Sequence, residues 1–233
     1  MKRRLLAWLV HLYTATGLVA AAAMAVLMIE GGERNFHGVL LLMIVATVID
    51  STDGALARRV DVRKWTPSFD GRRLDDITDF HTYTSMPLLF IWRTGVVPGA
   101  LAWWLLVPLV ASAYGFSQTD AKTKDGYFLG FPSYWNALAF YFYFLRPSPE
   151  ISVVICLIFA LLTFVPLRYL YPSYGGRFSA TTVVLGSLWG LLLILIVSGV
   201  FEPPNTAAWI SMAFPAYYLF ASWAISFTRG RSQ

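Results

Sequence analysis

The chain reads as an all-α integral membrane protein of about eight spanning helices, with both termini in the cytoplasm. Three observations lead there. Hydrophobic residues fill 57% of the 233 positions and charged residues 13%, with a mean hydropathy of +0.59, whereas an ordinary soluble domain carries roughly 25% charged residues. Apolar runs close to the 20 or so residues that cross a bilayer recur from end to end. When the runs are alternated across a membrane, all of the 18 Lys and Arg except Arg34, Arg93 and Arg146 fall on one side. The positive-inside rule makes that side cytoplasmic.

The expected spans lie near 5–29, 37–57, 74–92, 97–118, 132–146, 150–171, 179–200 and 206–227. The first follows Met1-Lys-Arg-Arg and could pass for a secretory signal, but its apolar run exceeds the 7–15 or so residues usual in one, so it is expected as a helix. The second ends in an acidic stretch, Asp50-Ser-Thr-Asp53, and the third begins in another, Asp75-Asp76-Ile-Thr-Asp79. The fourth is followed by the polar tract Gln118-Thr-Asp-Ala-Lys-Thr-Lys. The fifth is short and aromatic. The sixth holds the lone Cys156, expected as a small packed hydrophobe with no reactive role. The first, sixth, seventh and eighth carry almost no polar residue at mid-depth. So many spans leave no length for a soluble domain, and residues 1–233 are expected to form a single membrane domain. The net charge of +5 reflects the one-sided basic loops and their attraction to anionic headgroups. No basic stripe interleaved with exposed aromatics points to nucleic acid.

The acids carry the chemistry. An α-helix turns about 100° per residue, so positions three or four apart share a face. Asp50 and Asp53 are expected on one face of the second span, and Asp75 and Asp79 on one face of the third. One loop joins these spans, so both pairs sit at the same depth. An ionised acid in a spanning helix costs about 2.5–3.5 kcal/mol, and four cost on the order of 10 kcal/mol. The positive end of the third helix offsets about 0.3–1 kcal/mol near Asp75, far less than bound divalent cations would. All-oxygen ligands suit Mg²⁺ or Mn²⁺. The blander reading, pairing with Arg58, Arg59, Arg72 and Arg73 at the membrane surface, does not explain four acids at spacings of three and four on adjacent helices. Asp76 is turned about 100° from Asp75, and Asp61 and Asp70 fall in the loop. Gly54 and Ala57 keep the helix backbone approachable, and Arg58 is placed to hold a phosphate. Together they suggest a nucleotide diphosphate lying across the helix pair, with Gly71 keeping backbone clear on the other side.

The pattern Asp50-x2-Asp53-Gly54-x2-Ala57-Arg58, then Gly71-x3-Asp75-x3-Asp79, resembles the signature of the CDP-alcohol phosphotransferases, membrane enzymes of phospholipid synthesis. Most of that family has about eight residues between the Arg and the second Gly; here residues 59–70 make twelve. The longer interval, the tract from Gln118 and the segment Gly130-Phe-Pro-Ser-Tyr-Trp-Asn136 resemble the bacterial phosphatidylcholine synthase branch. The resemblance implies CDP-diacylglycerol and choline as substrates and two Mn²⁺ or Mg²⁺ ions held by Asp50, Asp53, Asp75 and Asp79. It further implies Asp79 as the catalytic base, and Asp50, Gly54, Ala57, Arg58 and Gly71 around the cytidine diphosphate. A homodimer and a bacterial inner membrane, with the site near its cytoplasmic face, follow by analogy.

A quaternary ammonium calls for an aromatic cage. Tyr83, one turn after Asp79, and Tyr114, Tyr127, Tyr134 and Trp135, near the cytoplasmic ends of the fourth and fifth spans, are the candidates for choline. His11, His37 and His81 are expected as satisfied polar or interfacial residues, His81 facing away from Asp79. Two other readings stand beside this one. A phosphorylated acceptor such as glycerol phosphate or inositol phosphate would need converging basic residues, of which the loop at 172–178 supplies only Arg177; serine is a further acceptor. A divalent-cation transporter would need polar residues along a path through the spans that lack them.

Overall fold

The first two helices of the computed structural model, α1 (Lys2–Glu30) and α2 (Glu33–Val60), form a hairpin closed by Gly31 and Gly32. Both glycines have positive φ, at 73° and 88°, a conformation that costs a side-chain-bearing residue energy and glycine little. The structure describes residues 1–123, 126–171 and 179–229; Lys124 and Arg177 of the expected cytoplasmic loops lie outside them. Residues pack into two compact units, Met1–Pro87 and Leu88–Gln233.

In the first unit, the buried residues of α1 include Ala7, Val10, Thr14, Gly17, Ala21, Met24 and Met28. Their alternating steps of three and four make one narrow seam along the helix. Small residues in that seam let neighbouring backbones close in, as they do between membrane helices generally. Gly17 is the tightest point: a Cβ there would collide with the methyl of Thr78. The buried stripe of α2 runs Val39, Leu40, Met43, Ala46, Ile49 and then Asp53, so an acid takes over the inward face where the apolar residues stop. Helix α2 ends at Asp61 in the left-handed region, with Arg58 and Arg59 beside its negative dipole end. A single turn, α3 (Val62–Trp65), follows. Helix α4 (Gly71–Asp79) starts under a cap in which the Arg73 backbone N–H donates to Asp70 Oδ1 at 3.1 Å, satisfying a donor that the helix itself leaves open. It continues through a π-helical stretch, Phe80–Ser85, into α5 (Met86–Arg93).

The second unit begins within that last helix. A 3₁₀ segment, Gly99–Leu105, leads into α6 (Leu106–Ser117). Strands β1 (Tyr127–Leu129) and β2 (Arg168–Leu170) pair antiparallel, with Phe128 opposite Tyr169. Between them lie α7 (Trp135–Leu145) and α8 (Pro149–Leu162), and after them α9 (Ser179–Val197), α10 (Pro204–Ser211) and α11 (Ala213–Arg229). The Tyr218 hydroxyl and the side chains of Ser222 and Ser226, all on α11, hydrogen-bond the backbone of β2.

The all-α membrane class holds. Among the described residues, five helices are long and apolar enough to cross a membrane: Lys2–Glu30, Glu33–Val60, Gly99–Ser117, Ala180–Val197 and Pro204–Phe227. The sixth expected run, 150–171, is a helix only to Leu162, because Pro166 cannot donate a helical hydrogen bond and the chain turns into β2. The fifth is an 11-residue helix and the sixth a 14-residue one, both shorter than a straight crossing needs.

Candidate active site

Helix rotation decides which acids meet. Asp75 and Asp79 are four residues apart and differ by about 40° around α4, whereas Asp50 and Asp53 are three apart and differ by about 60° around α2. Asp50 of α2 faces α4. One oxygen from each of Asp50, Asp75 and Asp79 lies within 4.8 Å of the other two. Among the described residues this is the cluster with metal-binding geometry, and Asp53 is not a member. Asp53 is buried at 5% exposure, and Asp79 at 8%, so two of the four expected acids are largely withdrawn from solvent.

The donor set fits a divalent cation. Oxygen ligands lie about 2.0–2.1 Å from Mg²⁺, so two on opposite sides of one ion stand roughly 4 Å apart. Three carboxylate oxygens within 4.8 Å of one another span about that distance, and their repulsion in a partly buried setting favours a hard cation over an unfilled cluster. No sulfur or imidazole belongs to the set, which sets it apart from a structural zinc site.

Tyr83 completes the cluster from an unexpected side. Its hydroxyl donates to Asp50 Oδ2 at 2.8 Å, and the residue is buried. The spacing of four from Asp79 does place it on the acids' face, as the sequence indicates, but the side chain is engaged with a carboxylate 33 positions earlier. The π-helical stretch begins directly after Asp79; such stretches gather at functional sites, and no residue type in Phe80-His-Thr-Tyr-Thr-Ser85 announces one.

The other expected residues fall as follows. Gly54 is half-buried, and a Cβ on it would stand 3.4 Å from Arg58 Nη1, so the glycine lets the exposed guanidinium lie back along α2. Ala57 is half-buried on the same helix and accepts at its carbonyl from the Asp61 N–H. Arg58, Arg59, Arg63, Lys64, Arg72 and Arg73 are all exposed, giving this end of the hairpin a basic rim. Gly71 packs against the ring of His11.

Of the choline candidates outside this unit, Trp135 is fully buried and its indole N–H donates to Ser112 Oγ at 2.7 Å. Tyr134 meets Tyr218 edge-on at 5.8 Å, Tyr127 lies under the Arg168 guanidinium at 5.9 Å, and Tyr114, 46% exposed, packs on Phe164 at 4.8 Å. Each ring therefore already has a packing partner.

Comparison with known proteins agrees with the geometry. A family model described as CDP-alcohol phosphatidyltransferase matches residues 8–165, which takes in all four acids. The chain is 34% identical over 229 residues to a phosphatidylcholine synthase of Legionella pneumophila, covering 93% of this chain and 87% of the relative. It is 33% identical over 205 residues to one of Borreliella burgdorferi, covering 88% and 85%. It is 35% identical over 198 residues to one of Legionella bozemanae, covering 82% and 91%.

Proposed function

The chain belongs to the CDP-alcohol phosphatidyltransferase family, and from that premise we propose that it transfers the phosphatidyl group of CDP-diacylglycerol to choline, releasing CMP. The convergence of Asp50, Asp75 and Asp79 within 4.8 Å carries the chemistry. Choline as acceptor is supported by the phosphatidylcholine synthases it resembles along most of its length and by the twelve-residue interval 59–70.

In this reading Asp50, Asp75 and Asp79 hold Mn²⁺ or Mg²⁺, with Asp53 one turn further along α2 serving a second ion. Bound cations supply charge neutralisation on the diphosphate and on the departing CMP. The remaining work belongs to the side chains. The Asp79 carboxylate takes the hydroxyl proton of choline as that oxygen bonds to the phosphorus bearing diacylglycerol. The bond from this phosphorus to the bridging oxygen breaks, and CMP leaves with that oxygen. A carboxylate is a weak base for an alcohol, so the proton moves late, when the new bond has acidified it. The exposed Arg58 binds the phosphates as a fork of donors, and Gly54 and Ala57 give the nucleotide access to the α2 backbone. The enzyme crosses a bacterial inner membrane several times, with its termini and the loop 59–70 in the cytoplasm, where choline enters and CMP departs.

Purified protein given CDP-diacylglycerol, choline and Mn²⁺ is expected to release CMP in proportion to choline. Asp79→Asn, which keeps the shape and removes the base, is expected to lower turnover at least 1,000-fold, on the order of what combined loss of a base and a ligand costs. CMP release that ignores choline, or that appears only with glycerol phosphate, inositol phosphate or serine, would overturn the acceptor.

A further inference from the structure

His11 lies against the connection between the two acid-bearing helices. It sits on α1, 6% exposed, and touches that connection at three places. Its Nε2 lies 2.9 Å from Thr66 Oγ1. Thr66 donates its own hydroxyl hydrogen to the Val62 carbonyl at 2.9 Å, so it accepts here and His11 Nε2 carries the donated hydrogen. The Phe69 ring lies 4.5 Å from the imidazole and 5.2 Å from Trp8. At Gly71, the first residue of α4, a Cβ would stand 2.7 Å from His11 Cε1 and 3.0 Å from Nδ1. Real Cβ atoms do not approach that closely, so any larger residue would push the ring or the helix aside.

We propose that His11 is a positioning residue: it seats residues 61–70 and the start of α4 on α1, and Gly71 is a glycine because the imidazole occupies the space a side chain would need. Asp75 is one turn, about 6 Å, along α4 from Gly71. A shift of the helix start is carried to Asp75 and Asp79, and a misplacement of about 1 Å in a reacting group can cost 100-fold in rate. The inference rests on those acids being the reacting ones. It differs from the signature reading, in which Gly71 leaves room for the nucleotide.

A double-mutant cycle separates the two. On the wild-type background Gly71→Ala is expected to lower kcat at least tenfold, with KM for choline within twofold, and to lower the melting temperature in detergent. On a His11→Ala background, where the ring is gone, the same change is expected to cost less than threefold in kcat and to leave melting nearly unmoved. Should His11→Ala fail to fold, His11→Gln takes its place, since it removes the ring and keeps an amide donor toward Thr66. His11→Ala is also expected to open the exposed Arg63 and Lys64 to trypsin, and His11→Gln to restore part of that protection. Coupling in both kcat and melting supports the proposal. An equal penalty for Gly71→Ala on both backgrounds, in either readout, or no penalty at all, overturns it. Melting and trypsin protection need no acceptor, so a failure of the choline assignment is seen separately, in the dependence of wild-type CMP release on choline.

Discussion

Tyr83 gives its phenolic hydrogen to Asp50 Oδ2 at 2.8 Å, so this carboxylate reaches the cluster with one oxygen already engaged. A hydrogen bond of that kind holds a metal-binding group in orientation, and losing such a partner typically costs 10–100-fold in metal affinity. Tyr83→Phe keeps the ring and removes only the donor. Its Mn²⁺ affinity, read from the free-ion signal in electron paramagnetic resonance, is expected to weaken about tenfold, with the melting temperature nearly unchanged. Undiminished affinity would mean that helix packing alone aims Asp50. A spacing of four residues after Asp79 puts Tyr83 on the acids' face and makes it a candidate for choline, but says nothing of the hydroxyl's partner on another helix, which is Asp50.

At the scale of elements, the approach of α4 to α1 depends on Gly17. The Thr78 hydroxyl donates to the Leu74 carbonyl at 2.9 Å, which fixes the side chain and turns its methyl toward Gly17, against the space a Cβ would fill. Gly17→Ala is expected to lower the melting temperature by several degrees, as overpacking of a closed interface does. Adding Thr78→Ser, which deletes the methyl and keeps the hydroxyl, is expected to recover most of the loss; if it does not, the close contact is not the cause. The long helices and their acids could be read from the residues, since hydropathy and a 100° rotation act within one helix. The strand pair β1–β2 could not, because three residues on each side carry too little pattern, and the backbone hydrogen bonds of β2 are completed by Tyr218, Ser222 and Ser226 some fifty positions away.

For the molecule as a whole, the one-sided distribution of Lys and Arg predicts that the exposed residues 67–70 between α3 and α4 face the cytoplasm. Cys156 is buried, and replacing it by alanine removes the lone thiol of the chain. With Ser68→Cys added to Cys156→Ala, a membrane-impermeant maleimide is expected to label inside-out vesicles and to spare right-side-out ones. The reverse pattern would invert the topology and put the aspartates at the wrong face for a cytoplasmic nucleotide.

Composition, charge asymmetry and the spacing of the aspartates were enough to establish a helical membrane protein and the two helices that carry its acids, because each of these signals is written along a single stretch of chain. Which acids converge was decided only by tertiary packing: Asp50 joins Asp75 and Asp79, while Asp53 turns into the buried side of α2. The rotation and depth of one helix against another are set by close approaches such as Gly17 to Thr78 and Gly71 to His11, contacts between residues some sixty positions apart that no local periodicity encodes.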